Sequence, residues 1–139
     1  MEAGSNEEAK SYAEQAVAMA AEPRFKNAGP NTFESSFAGD AVSVGNIVLG
    51  RLALVREDLE AAENYLVLSG QIKAGSPVFF GPNMTLAREL LKRGRSEAVL
   101  KFLEECSHFW RNADVQIQRW AATIRSGEIP DFGGNLLYD

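Results

Sequence analysis

The chain has 139 residues, 45% hydrophobic and 24% charged, a make-up that fits one globular domain with room for a real core. Its formal net charge of −5 lacks the basic footprint of a nucleic-acid partner, and a single cysteine, Cys106, excludes both an intramolecular disulfide and a cysteine-built metal site. No apolar run approaches the roughly 18 residues that span a bilayer, and the acidic start MEAGSNEEAK is unlike a secretory leader, so the expected compartment is the cytoplasm, without membrane contact.

Ser5 or Asn6 is the predicted cap of a first helix with Glu7 and Glu8 in its opening turn. Ala9, Tyr12, Ala13, Ala16, Val17 and Ala20 then recur at helical spacing, and Pro23 ends the run. A stripe made mostly of alanine buries little area, so this helix should lean on its neighbours for stability. Residues 23–39 are broken by Pro, Gly, Asn and Ser and read as a long loop, pinned to the helices by Phe25, Phe33 and Phe37.

Asp40 is the predicted cap of the next helix, which runs to about Arg56. Val44, Ile47, Val48, Leu52, Leu54 and Val55 make it apolar over much of its circumference. Glu57 and Asp58 mark a turn, residues 59–68 form the following helix, and Gly70 sits where a left-handed C-terminal cap belongs. After residues 71–80, helices are predicted over 82–93 and 97–108, separated by a turn at Gly94. Asn112 or Asp114 caps a last helix over 115–125, which Gly127 ends. The tail is too rich in Pro and Gly for a helix. Its Ile129, Phe132, Leu136, Leu137 and Tyr138 predict an extended strap folded back on the domain.

One stretch occurs twice. Residues 45–66 and 82–103, set 37 apart, share Asn46/Asn83, Leu49/Leu86, Arg51/Arg88, Leu54/Leu91, Glu60/Glu97, Ala61/Ala98 and Leu66/Leu103. Stacked helical hairpins follow from such a repeat. The expected architecture is all-α: one domain of five or six helices over 1–139, with repeat hairpins at 41–69 and 81–108. An N-terminal helix and a C-terminal capping helix flank them.

These hairpins resemble tetratricopeptide repeats. The first copy matches that pattern at Leu49, Gly50, Ala62, Leu66 and Ser69, and the second at Leu86, Ala87, Leu90, Gly94, Leu103 and Cys106. Ala53 stands where an aromatic is usual, Glu57 where the turn glycine is, and Val99 where a small alanine is. The link between copies is three residues longer than in that family. The run LGR, GSP, FGPN, Phe109-Trp110 and IPDF…NLLY also resembles a group of short bacterial proteins of tetratricopeptide-like type. The resemblance implies a concave face, lined by the first helix of each hairpin, that binds a peptide or protein segment.

Arg51 and Arg88 occupy equivalent points of those first helices, and a pair of guanidinium groups there would grip a carboxylate or phosphate through forked hydrogen bonds. Lys92 adds positive potential; residues 81–112 carry six Lys/Arg against four Asp/Glu, whereas residues 1–40 carry three against seven. The structural alternative is that each arginine pairs with an acidic neighbour or with loop carbonyls. Asn46 and Asn83 would hydrogen-bond the backbone of an extended peptide, or else satisfy local backbone groups, with Asn83 as a helix cap.

His108 has no Cys, Asp or second His nearby in sequence and reads as a helix-end residue, and Cys106 falls at a small buried position. One histidine, one cysteine and scattered carboxylates make no nucleophile–base pair, so the chain is read as non-enzymatic, with no cofactor or metal. Two alternatives to a peptide scaffold stand beside it. One is an anion or small-molecule pocket between residues 80–83 and the first helix; the other is self-association through the alanine stripe, with the chain otherwise a monomer or weak homo-oligomer.

Overall fold

A computed structural model describes residues 3–136, and among them every regular element is helical. The order is α1 (Ala3–Ala20), α2 (Pro23–Lys26), α3 (Phe33–Val55), α4 (Leu59–Ser69), α5 (Pro77–Phe80), α6 (Thr85–Lys92), α7 (Ser96–Ser107) and α8 (Asp114–Arg125), then a 3-10 turn, η1 (Gly133–Leu136). The all-α expectation holds. The helices beyond the expected five or six are the four-residue α2 and α5, each opened by a proline, whose fixed φ suits a first helical position.

The two copies of the repeat fold as α3–α4 and α6–α7, two hairpins in contact through α4 against α7 and α4 against α6. Their turns share one backbone device. Glu57 (φ 59°) and Gly94 (φ 77°) stand at equivalent positions, both left-handed. Glycine adopts that conformation readily, whereas a glutamate there costs about 1–2 kcal/mol. Glu57 offsets part of it by accepting a hydrogen bond from Arg93 Nη1 at 2.7 Å, which ties the two turns together. Asp58 caps α4 through the Ala61 amide (3.1 Å), and Arg95 reaches Glu63 (3.0 Å). These ion pairs are largely exposed and contribute at most about 1 kcal/mol each.

The interior between the hairpins is filled by Leu66, Met84, Leu86, Leu90, Val99, Phe102, Leu103 and Cys106. Small residues set the helix separations. A side chain at Gly50 would run into Leu86, so α3 and α6 touch there backbone to side chain. On the far side of α3, a Cβ on Gly45 would lie 2.7 Å from Val17 and 3.1 Å from the Ala13 carbonyl, which is how α1 comes to lie along α3. Of the alanine stripe, Ala13 and Ala20 are buried, while Ala9 and Ala16 stay half-buried.

Several boundaries differ from the sequence reading. Residues 23–39 are not a loop: α2 occupies the first part and α3 begins at Phe33, two turns before Asp40. Thr32 is the cap, its Oγ1 accepting from the Ser35 amide at 3.1 Å. Phe25 is buried with its ring 4.9 Å from that of Phe37, but Phe33 is 77% exposed, its one ring contact among the described residues being a stack on Phe37 at 6.4 Å within α3. Asp40, inside α3, instead accepts from the Ser76 amide at 2.8 Å, and a side chain on the adjoining Gly39 would collide with the Ala74 carbonyl. The longer link between the copies reaches back to seat itself on this early part of α3.

Ser5 and Asn6 lie within α1 rather than capping it. Gly70 is right-handed (φ −92°), not a left-handed cap; a Cβ there would lie 3.1 Å from both Phe102 and Glu105, which pack against it. The helix predicted over 82–93 starts only at Thr85. Neither Asn112 nor Asp114 caps α8, whose cap position is Ala113; Asn112 holds a left-handed turn (φ 58°), and Asp114 sits in the first helical turn, where its charge suits the dipole.

The tail does fold back, closing in η1 rather than as an extended strand. Phe132 is 2% exposed and meets Trp120 edge-on at 4.9 Å. Asn135 donates to the carbonyls of Phe80 (3.1 Å) and Pro82 (3.0 Å) and accepts from the Met84 amide (2.9 Å). Leu137 and Tyr138, predicted to join this strap, lie outside the described residues.

One expectation is corrected outright. α3, at 23 residues with a best-window mean hydropathy of 1.4, is long and apolar enough to cross a membrane by length and composition. The core helix of a globular protein passes the same test, and 56% of that window is buried here against the other helices.

Candidate functional site

The five nominated side chains divide sharply. Asn46 is 4% exposed, and its Nδ2 donates to the Val42 carbonyl one turn back in α3 at 2.8 Å. Asn83 lies ahead of α6, where its Oδ1 accepts from the Thr85 amide at 2.9 Å and opens the helix. Both amides therefore serve the backbone. Identical residues in the two copies do different jobs because Gly81 (φ 84°) and Pro82 keep the second copy out of helix where the first is helical.

The three cations remain at the surface side of their helices. Arg51 is exposed on α3, though not an idle charge, since it makes an interaction within the fold. Arg88 is half-buried on α6. Its Nε lacks a hydrogen-bond partner among the described residues and lies 3.9 Å from Glu89 Oε1, while Lys92 reaches the same carboxylate at 3.4 Å. Glu89 thus sits between Arg88 and Lys92 and offsets part of their charge. The contact of Gly50 with Leu86 places the segments that carry Arg51 and Arg88 at one helix crossing.

The surface next to Arg51 is apolar. Val44, Val48, Arg51 and Val55 recur at steps of four, three and four along α3, one side of the helix. Val44 is 62% exposed and Val55 61%. α1 walls this stripe with Tyr12, 70% exposed, above Ala9, Ala13 and Ala16. Phe37 continues the floor toward the start of α3. The result is an open groove of about 490 Å³ whose lining, among the described residues, contains a single charged residue, Asp40.

No family model, curated protein or solved structure matches this chain.

The region proposed for an anion, residues 80–83, is occupied: Gly81 lies against the Trp110 ring, and Asn135 takes the carbonyls of Phe80 and Pro82. His108 is exposed at the C-terminal cap position of α7. Among the described residues no group of three His, Cys, Asp or Glu side chains could hold a metal ion.

Cys106 is buried, and burial, with the Glu105 carboxylate beside it, pushes its thiol well above the usual range. The thiolate is the reactive form, so Cys106 should react with a disulfide reagent at pH 8 about 100-fold more slowly in the folded protein than in urea. A native rate equal to the unfolded one would contradict the burial. The sign for stability follows: as pH rises past the unfolded thiol's pKa, the unfolded chain loses a proton that the folded one keeps, and stability falls.

Proposed function

We propose that this chain is a non-catalytic scaffold that binds a peptide or protein segment along the exposed side of α3. The observation that carries this reading is the open, almost uncharged groove between α1 and α3. Exposed apolar surface of this kind, bordered by charge, is characteristic of a contact face. An amphipathic helix or extended segment would lay aliphatic side chains on Val44, Val48 and Phe37, with Tyr12 as a wall. An acidic residue on the ligand, placed toward the C-terminal end of α3, would meet Arg51, with Arg88 and Lys92 adding to the field.

The tetratricopeptide-like arrangement belongs to this proposal. Two hairpins in contact through α4, left-handed turns at 57 and 94, and small residues at the crossing of α3 and α6 support it. α3 is then a core helix that leaves one face for a ligand, and the cytoplasm is the compartment proposed.

Selection of peptides from a random library on the purified protein, followed by fluorescence anisotropy, tests the reading. Val44→Asp puts a charge on the groove floor and should weaken a selected peptide at least about tenfold, roughly 1.4 kcal/mol, with little change in Tm. Val115→Asp, equally exposed but on α8, should leave affinity unchanged. Equal binding by wild type and V44D would place the contact face elsewhere.

A further inference from the structure

We propose a second site, independent of the α3 groove: a cleft that takes a small phosphate ester with an apolar body. The cleft holds about 450 Å³, within the size range of small-molecule pockets, and is walled by residues 28–36, by the link at 73–79 and by Arg111. Two cations, Lys73 and Arg111, reach it from different segments. Among the described residues no aspartate or glutamate lines it, in a protein whose net charge is −5.

Among the described residues Lys73 and Arg111 form no ion pair, whereas Arg93, Arg95 and Lys92 each hold a carboxylate. The Arg111 guanidinium lies over the Phe79 ring, 5.1 Å from its centroid, an arrangement that fixes its plane while leaving its N–H edges available to an oxyanion. The Arg111 amide, bonded to the Val78 carbonyl at 3.0 Å, anchors that backbone to the link. Ser35, Ser36 and Asn31 add polar groups to the opposite wall, and Val78 and Pro30 offer an apolar bed.

Two carboxylates on α3 flank the cleft in sequence: Glu34, beside Ser35, lines the neighbouring hollow with Arg24 and Phe25, and Asp40 is one turn beyond Ser36. Asp40 is the one tied to the link. It lines the other groove, and its Oδ1 is held by the Ser76 amide. The charged side chains that line the cleft among the described residues, Lys73 and Arg111, are both positive, and a dianionic phosphate with an attached ring or chain matches both the cations and the apolar bed. The link that is longer than in the repeat family supplies Lys73, Val78 and Phe79, so the extra residues build one wall of this site.

The experiment uses phenyl phosphate, inorganic phosphate and benzyl alcohol as probes, titrated into the labelled protein at constant ionic strength and followed by amide chemical shifts. Phenyl phosphate should give saturable shifts confined to residues 28–36, 73–79 and 111, inorganic phosphate weaker ones at the same place, and benzyl alcohol none. Lys73→Gln and Arg111→Gln should each reduce phenyl phosphate affinity about tenfold or more, as loss of a charge-assisted hydrogen bond implies. Lys101→Gln, an exposed cation on α7, should not. Val44→Asp should leave it intact, which separates this site from the peptide groove. Non-saturable shifts, shifts spread over all basic residues, or an equal loss in K101Q would overturn the proposal.

Discussion

Phe132→Ala is expected to cost about 3–5 kcal/mol, the range for removing a fully buried aromatic side chain. Phe132 is the residue by which the tail enters the core. Its ring fills the space beside Trp120, itself 5.5 Å from Trp110, and its neighbour Asn135 closes three hydrogen bonds onto residues 80–84. Losing the ring leaves a cavity and frees the strap, so the backbone groups of Phe80, Pro82 and Met84 lose partners as well. Urea unfolding followed by circular dichroism gives the magnitude, and tryptophan fluorescence should shift to the red in the folded state as Trp120 meets water. Phe132→Leu should recover most of the loss. A cost below about 1 kcal/mol would mean that the tail is not part of the core.

Gly39→Ala is expected to destabilise by about 1–3 kcal/mol, against what helix propensity alone says. A glycine in the interior of a helix is about 1 kcal/mol worse than alanine, so propensity predicts a gain. The added Cβ, however, meets the carbonyl oxygen of Ala74, a backbone atom that cannot swing aside. The link must lift off α3, and the Asp40–Ser76 hydrogen bond goes with it. Gly4→Ala, where nothing lies within 4 Å, is the control and should be neutral or slightly stabilising. A gain at Gly39 equal to that at Gly4 would show that the link does not rest on α3.

Gly39 also shows why parts of the fold were hard to read. The hairpins were legible because internal repetition doubles the signal: Leu49/Leu86, Leu66/Leu103 and the turn at 57/94 can be checked against each other. The start of α3 had no such partner. Gly29, Pro30 and Gly39 look alike as punctuation, yet Gly39 is helical and is glycine because another segment crosses it. Gly70 misled in the same way, being small for Phe102 rather than for its own φ. Close approach between distant segments is a tertiary fact, and it overrides local chemistry.

The candidate site was legible in part. Arg51, Arg88 and Lys92 stand out as charges on helices that packing would make apolar. The asparagine pair stood out equally, but a buried amide that bonds its own helix looks the same in sequence as one that faces a ligand. Val44 and Tyr12 were visible only as members of apolar stripes, and Phe37 only as an anchor of the expected loop. α3 is apolar on more sides than its neighbours cover, and which side stays open depends on where α1 settles, which Gly45 decides. The signal available in sequence was the excess itself: Val44, Val48 and Val55 share a face with Arg51, a pattern that a fully buried stripe would not carry.

The most direct test of the binding reading is to map a selected peptide on the protein by amide chemical shifts or hydrogen exchange. The groove account predicts changes confined to residues 9–16 of α1 and 37–55 of α3, with the largest at Val44 and Val48. Changes centred on α7 and α8, or none at saturating peptide, would contradict it.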